Sequence, residues 1–181
     1  MKKVCFAVLA LFILAVTTTV AQDVTYNFDQ SADFSKFKTY KWVSIKNAKQ
    51  VDDITARQLT AAIDAALAKK GLTKTDADNA DLYIAYQTAI GSQTQWNAYS
   101  TGWGYGPYWG GMGRTGMATA TSDTIYVGQL DLDMYDSATK HLVWRGKVSK
   151  TLDPNAKPDK RQKNIDKSIE KLLKNYPPKK K

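Results

Sequence analysis

Apolar residues along this chain recur first at a spacing of two, then at helical spacing, then at two again, and last at helical spacing. Val24-Thr25-Tyr26-Asn27-Phe28 alternates as a strand does, Asp29 to Ser35 reads as a turn or loop, and Thr39-Tyr40-Lys41-Trp42-Val43 predicts a second strand with Tyr40 and Trp42 on one face. From about Asp53 the period lengthens, and Leu59, Ala62, Ile63, Ala66, Leu67 and Lys70 form one helical stripe. Asp52 and Asp53 sit at the positive end of that helix, Lys69 and Lys70 at its negative end, and Gly71 where a left-handed cap residue belongs. Leu72 to Lys74 predicts a short strand and Asp76 to Asp81 a polar turn. Leu82-Tyr83-Ile84-Ala85-Tyr86 is apolar on both faces, which predicts a central place in a sheet.

Farther on, Tyr126, Leu130, Leu132 and Met134 alternate with Val127, Gln129, Asp131, Asp133 and Tyr135, giving a strand with one wet face. Asp136 to Lys140 turns the chain back into Leu142, Trp144 and Val148, which alternate with Val143, Arg145 and Lys147 and complete a hairpin. A last helix begins after Pro158, where Asp159 and Gln162 have the spacing of a capping box, and Ile165, Ile169, Leu172, Leu173 and Tyr176 make its apolar stripe until Pro177-Pro178. This order predicts an α+β domain: a largely antiparallel sheet with two helices packed on one face.

Between the central strand and the last hairpin, Gly91 to Ser122 has neither period, and glycines alternate with aromatics through Gly102-Trp103-Gly104-Tyr105-Gly106-Pro107-Tyr108-Trp109. The spacing predicts a long Gly/aromatic loop, and long loops carry function more often than they carry fold. Trp96, Tyr99, Trp103, Tyr105, Tyr108 and Trp109, with Arg114 as the only basic side chain of the stretch, offer flat faces for a sugar ring, a lipid interface or a protein. The competing expectation is that these aromatics fold back over the sheet as a lid.

Charge and the amino terminus narrow the setting. Met1-Lys2-Lys3, the apolar run Val4 to Val16, and small residues at Thr19 and Ala21 predict a signal peptide over residues 1–21, cleaved before Gln22. The only cysteine, Cys5, lies inside it, so the mature chain is expected to have no disulfide and no lipid anchor through a cleavage-site cysteine. Residues 22–178 then form one domain, followed by a basic tail at 179–181. Gln22 to Ala156 holds 14 basic and 14 acidic residues, whereas Lys157 to Lys181 holds 10 basic and 3 acidic, so the excess charge of the mature chain is all at its end. Lys160, Lys163, Lys167, Lys171 and Lys174 on the last helix are expected to face water, where they would attract anionic lipid head groups. Export makes nucleic acid a poor partner for that charge.

Catalytic and metal signatures are weak. Nucleophilic catalysis needs a nucleophile, a base and an orienting group, and the mature chain offers no Cys, no Gly-x-Ser-x-Gly and only His141 at a predicted hairpin turn. Asp76-Ala77-Asp78-Asn79-Ala80-Asp81 begins like a calcium loop, but Asp81 stands where the glycine is required and Gln87 where the bidentate Glu should be. Asp131 and Asp133 face Arg145 and Lys147 across a predicted hairpin, so cross-strand ion pairs explain them. Gly111-Met112-Gly113-Arg114-Thr115-Gly116 fits a dinucleotide pattern without the strand and helix that make it work. No metal or cofactor is expected.

Asp33-Phe34-Ser35-Lys36-Phe37-Lys38-Thr39-Tyr40-Lys41-Trp42, Lys70-Gly71-Leu72, Asp81 to Tyr86, Leu130-Asp131-Leu132, Asp136 and Thr139, Leu142-Val143-Trp144-Arg145-Gly146 and Tyr176-Pro177-Pro178 span nearly the whole mature chain. Together they resemble a known bacterial envelope family, domain of unknown function 4136, many of whose members are predicted lipoproteins. The resemblance implies a cell-envelope location and a shared fold, and it supplies no reaction. The expectation is therefore an exported, non-enzymatic domain in the periplasm or at the outer-membrane periphery. It would bind envelope glycan, anionic lipid head groups or another envelope protein, or serve as structure. A glycan-binding module would need Trp103 and Trp109 exposed, and a carboxylate hydrolase would need two Asp converging in a cleft.

Overall fold

A computed structural model of the chain describes residues 23–45, 51–99 and 119–179. The predicted signal peptide, the stretch 100–118 and Lys180-Lys181 lie outside the described residues. The elements in order are β1 (Asp23–Phe28), β2 (Thr39–Trp42), α1 (Asp53–Ala68), β3 (Thr73–Lys74), β4 (Leu82–Tyr99), β5 (Thr119–Asp136), β6 (Leu142–Leu152) and α2 (Pro158–Leu172). Short 3₁₀ turns at Phe34–Lys36 and Leu173–Asn175 complete them. The strands form one mixed sheet in the order β1-β6-β5-β4-β2-β3. β2 runs parallel to β3 and β4, because α1 carries the chain back over the sheet between them, and the other pairs are antiparallel.

One face of the sheet carries the core. Leu82 and Ile84 of β4, Leu132 and Met134 of β5, and Trp144 and Val148 of β6 meet Leu59, Ile63 and Leu67 of α1 and Ile169 and Leu172 of α2. The two helices touch one another on that face, as the apolar stripes require. α1 is capped as expected: Asp52 accepts a hydrogen bond from Thr55 N at 3.0 Å, and Gly71 takes φ +85°. α2 begins otherwise than the capping-box spacing suggests. Lys157 is its N-cap with no side-chain bond, Pro158 fills the first turn, and Gln162 donates instead to Asp166 at 2.8 Å. Proline already supplies the helical φ and lacks one of the N–H groups that a cap would satisfy.

The stretches that carry the family resemblance build this frame. Asp33 caps the first 3₁₀ turn, and Phe34 meets both Phe37 and Tyr176 edge to face. Tyr40 Oη and Trp42 Nε1 both donate to Asp64 Oδ1 of α1, at 2.7 and 2.8 Å. Asp81 Oδ2 accepts from Lys38 N, Thr39 N and Thr39 Oγ1, tying the start of β4 to β2. At Gly146 a Cβ would overlap the Trp144 ring and lie 2.8 Å from Leu172 Cδ1, so only glycine lets β6 pass beneath α2. On the opposite face Arg145 grips Asp133 with two bonds of 2.6 and 2.7 Å, and Lys147 stands 3.6 Å from Asp131. These are the cross-strand ion pairs expected from the sequence. Asp133 is only 1% exposed, so losing its partner would leave a buried charge.

The predicted loop over 91–122 is shorter than its lack of period suggests. β4 continues to Tyr99 and β5 begins at Thr119, and their register runs unbroken from Leu82↔Asp136 to Tyr99↔Thr119. β6 ends at Leu152, opposite Tyr126, so β4 and β5 go on from Gln93↔Ile125 as a two-stranded ribbon. Alternation fails there because Gly91 to Thr94 is exposed, and no helix selects for an apolar face.

Candidate functional site

A cleft opens at the foot of that ribbon, where the sheet runs past the beginnings of both helices. Val51, Thr55 and Leu59 at the start of α1 form one wall, Asn164, Ile165 and Ser168 of α2 the other, and the helix-facing side of β4, β5 and β6 the floor. Its volume is about 400 Å³, within the range of about 300–1,000 Å³ for small-molecule sites. The floor is apolar and left uncovered: Ile90 is 63% exposed and Leu152 38%, and Tyr126, 42% exposed, extends the same face of the sheet just beyond the cleft. They stand on three successive strands, with Tyr126 directly opposite Leu152. Gly128 helps shape the floor, since a Cβ there would come within 3.0 Å of Leu152 Cδ2. Contiguous apolar surface of this kind marks a contact site more often than do single exposed residues.

The rim is basic. Lys150 on β6 donates to Asn164 Oδ1 at 2.7 Å. Burial pushes its ammonium below the usual lysine value, and the nearby positive charges of Lys167, Lys171 and Lys160 push the same way. Arg161 is held by backbone carbonyls, Nε to Ala156 O at 2.9 Å and Nη2 to Pro154 O at 3.0 Å. Among the described residues no carboxylate forms a salt bridge with Lys150 or Arg161, although Asp153 is near enough to feel the charge of Arg161. The two acids that line the cleft are engaged elsewhere. The Thr55 backbone and hydroxyl hold the Asp52 carboxyl below its ordinary value, and Lys160, 2.9 Å away, with the Asn155 N–H does the same for Asp153. A carboxylate-based acid catalyst needs one carboxyl raised instead. The arrangement suits an apolar body with a negative end.

The residues singled out in the sequence fall in several places. Lys160, Lys163, Lys167 and Lys171 are exposed on the side of α2 away from Ile165, Ile169 and Leu172, and Lys174 is exposed in the 3₁₀ turn that follows. Lys160, Lys167 and Lys171 are also the charges that act on Lys150. Trp96 and Tyr99 belong to β4 rather than to a loop, paired with Ser122 and Thr119. Trp103, Tyr105, Tyr108, Trp109 and Arg114, with the glycine pattern at 111–116, lie outside the described residues. His141 is exposed beside the β5–β6 turn. Asp78 pairs with Lys41 at 2.6 Å, and the described residues contain no cluster of acids, His or Cys able to hold a metal.

Sequence reasoning missed Lys150 and the floor of the cleft, and saw Arg161 only as part of the basic surface of the last helix. Ile90, Tyr126 and Leu152 sit at the frayed ends of three strand patterns, where an apolar residue reads as the last of the core; only the register shows them to be neighbours. Gly128 inside a strand was the one local signal.

Comparison with known proteins adds family and fold. The structure is similar to that of a DUF4136 family protein from Bacteroides thetaiotaomicron, at 19% identity and TM-score 0.51, over 86% of this chain and 96% of that one. It is also similar to a PelC dodecamer subunit from Paraburkholderia phytofirmans, at 13% identity and TM-score 0.50, over 84% and 95%. A PDZ domain protein from Parabacteroides distasonis matches at 15% identity and TM-score 0.48; 88% of this chain is covered but only 37% of that protein. No curated protein matches the chain. The model of the domain of unknown function DUF4136 matches residues 24–178, nearly the whole frame described above, and the chain belongs to that family.

Proposed function

We propose that the protein is a non-catalytic binding domain of the bacterial cell envelope, whose ligand lies in the cleft at the foot of the β4–β5 ribbon. The observation that carries this reading is the uncovered apolar floor of Ile90 and Leu152 between two helix walls. Covering such surface gains about 25 cal/mol per Å², so a ligand with a modest apolar body has a driving force here that the charged opposite face of the sheet does not offer. Most of the family stretches are occupied with holding the frame, and the cleft lies largely outside them. Export rests on the signal-peptide pattern at 1–21 and on the envelope setting of the family. A second contact through the Gly/aromatic segment between Tyr99 and Thr119 is supported by its Trp and Tyr content.

The test is titration of residues 22–181 with the neutral, environment-sensitive dye N-phenyl-1-naphthylamine. Saturable fluorescence enhancement is expected, reduced about tenfold in affinity by Ile90→Asp with Leu152→Asp. Both positions are exposed, so the fold should tolerate the change, and an unchanged thermal midpoint checks that. Equal binding by the double variant would refute the cleft as the site.

A further inference from the structure

The rim of the cleft poses a charge problem that the protein does not solve by itself. Lys150 lies half-buried on β6, and its hydrogen-bond partner is the neutral amide oxygen of Asn164. The groups around it are Lys160, Lys167 and Lys171 from α2, while Asp52 caps α1 and Asp153 serves Lys160 and Asn155. A desolvated ammonium amid other cations is unfavourable unless an anion joins it. An ammonium has three donors, and Asn164 takes one, so Lys150 can still bind a carboxylate.

Directly beside this cation runs the apolar floor. Lys150 pairs with Gly128 across β5–β6, two residues along β6 from Leu152 and on the same face. Charge and apolar surface are thus set end to end, not intermingled. The volume of about 400 Å³ is near the lower end of the range for small-molecule sites, which suits one chain rather than several. We propose that the cleft binds a single-chain fatty acid, its hydrocarbon over Ile90 and Leu152 and its carboxylate on Lys150. This assignment rests on the cleft being the binding site, and it adds that the ligand is anionic and carries a carboxylate at one end. Arg161, fixed by Ala156 O and Pro154 O, adds a second positive charge to the rim.

The experiment compares displacement of N-phenyl-1-naphthylamine by palmitate and by uncharged monopalmitoylglycerol, in the native protein and in Lys150→Met. Palmitate should displace the dye at a concentration at least tenfold below monopalmitoylglycerol. Lys150→Met, which keeps the stem and removes the charge, should erase that difference when each lipid's displacement is referred to the variant's own dye affinity. Lys150→Arg should restore most of the preference. Equal displacement by the two lipids in the native protein, or a palmitate preference that survives in Lys150→Met, would overturn the fatty-acid assignment and leave the cleft reading intact. Failure of the dye to bind would bring down both. A pelleting assay with anionic vesicles separates the remaining occupant: protein that pellets through Lys150 but ignores free palmitate would assign the cleft to a membrane surface and overturn the proposal.

Discussion

Individual residues in this domain divide between those that hold the sheet to its helices and those that leave a gap between them. Gly146 belongs to the first group, since any side chain there meets Trp144 and Leu172. Gly146→Ala is expected to lower stability by about 3 kcal/mol, the upper end of the usual overpacking range, measured by denaturant unfolding; a change below half that value would mean that β6 can shift under α2. Asp81 holds the frame through charge. The Lys38 N–H first, then the Thr39 N–H and hydroxyl, keep its carboxyl below the ordinary carboxylate value. A carboxyl with a depressed folded value contributes stability that is present above its unfolded value of about 3.9 and is lost as pH falls through the folded value. Asp81→Asn should therefore cost about 1 kcal/mol at neutral pH, with a difference from the native protein that shrinks below about pH 4. A difference that stays constant down to pH 2 would contradict this role.

At the scale of elements, periodicity revealed what burial selects and was silent elsewhere. α1 and α2 were legible because Leu59, Ile63 and Leu67 in one, and Ile169 and Leu172 in the other, face a sheet that rejects polar residues. β4 was legible from Leu82 to Tyr86 for the same reason, Ala85 being buried on the far face as well. The continuation of β4 and β5 into a ribbon was not, since Gly91 to Thr94 has no neighbour to impose alternation. The Asp133–Arg145 and Asp131–Lys147 pairs were legible because a hairpin fixes which residues stand opposite. The cleft was not. It is made by what the helices fail to cover, and the distance from Ile90 to Leu152 along the chain carries no local trace of their proximity. The basic side of α2 was visible as charge, whereas its effect on Lys150 depends on the crossing of α2 over β6.

Taken as a whole, the molecule sets the proposed binding surface at the edge of its core, with Leu59, Leu130 and Val148 common to both. The stretches by which the chain resembles its family, from Asp33 to Trp42, Leu142 to Gly146 and Tyr176 to Pro178, gather in and around one core cluster. At the edge of that core the sheet runs on past the first turns of α1 and α2, and there the apolar floor and the basic rim meet the foot of the ribbon. None of the described helices is long and apolar enough to cross a membrane. A frame of this kind can be shared among relatives while the open end is adapted to different ligands, which is how sites are commonly grafted on a fold. The central claim is that the open end binds. The most direct test is a two-dimensional amide NMR titration of the isotope-labelled domain with N-phenyl-1-naphthylamine. The account predicts saturable shifts at Ile90, Gly128, Lys150 and Leu152, with the amides around Asp64 and Asp81 unmoved. Shifts centred on the β2–α1 side, or none at dye concentrations that saturate fluorescence, would contradict it.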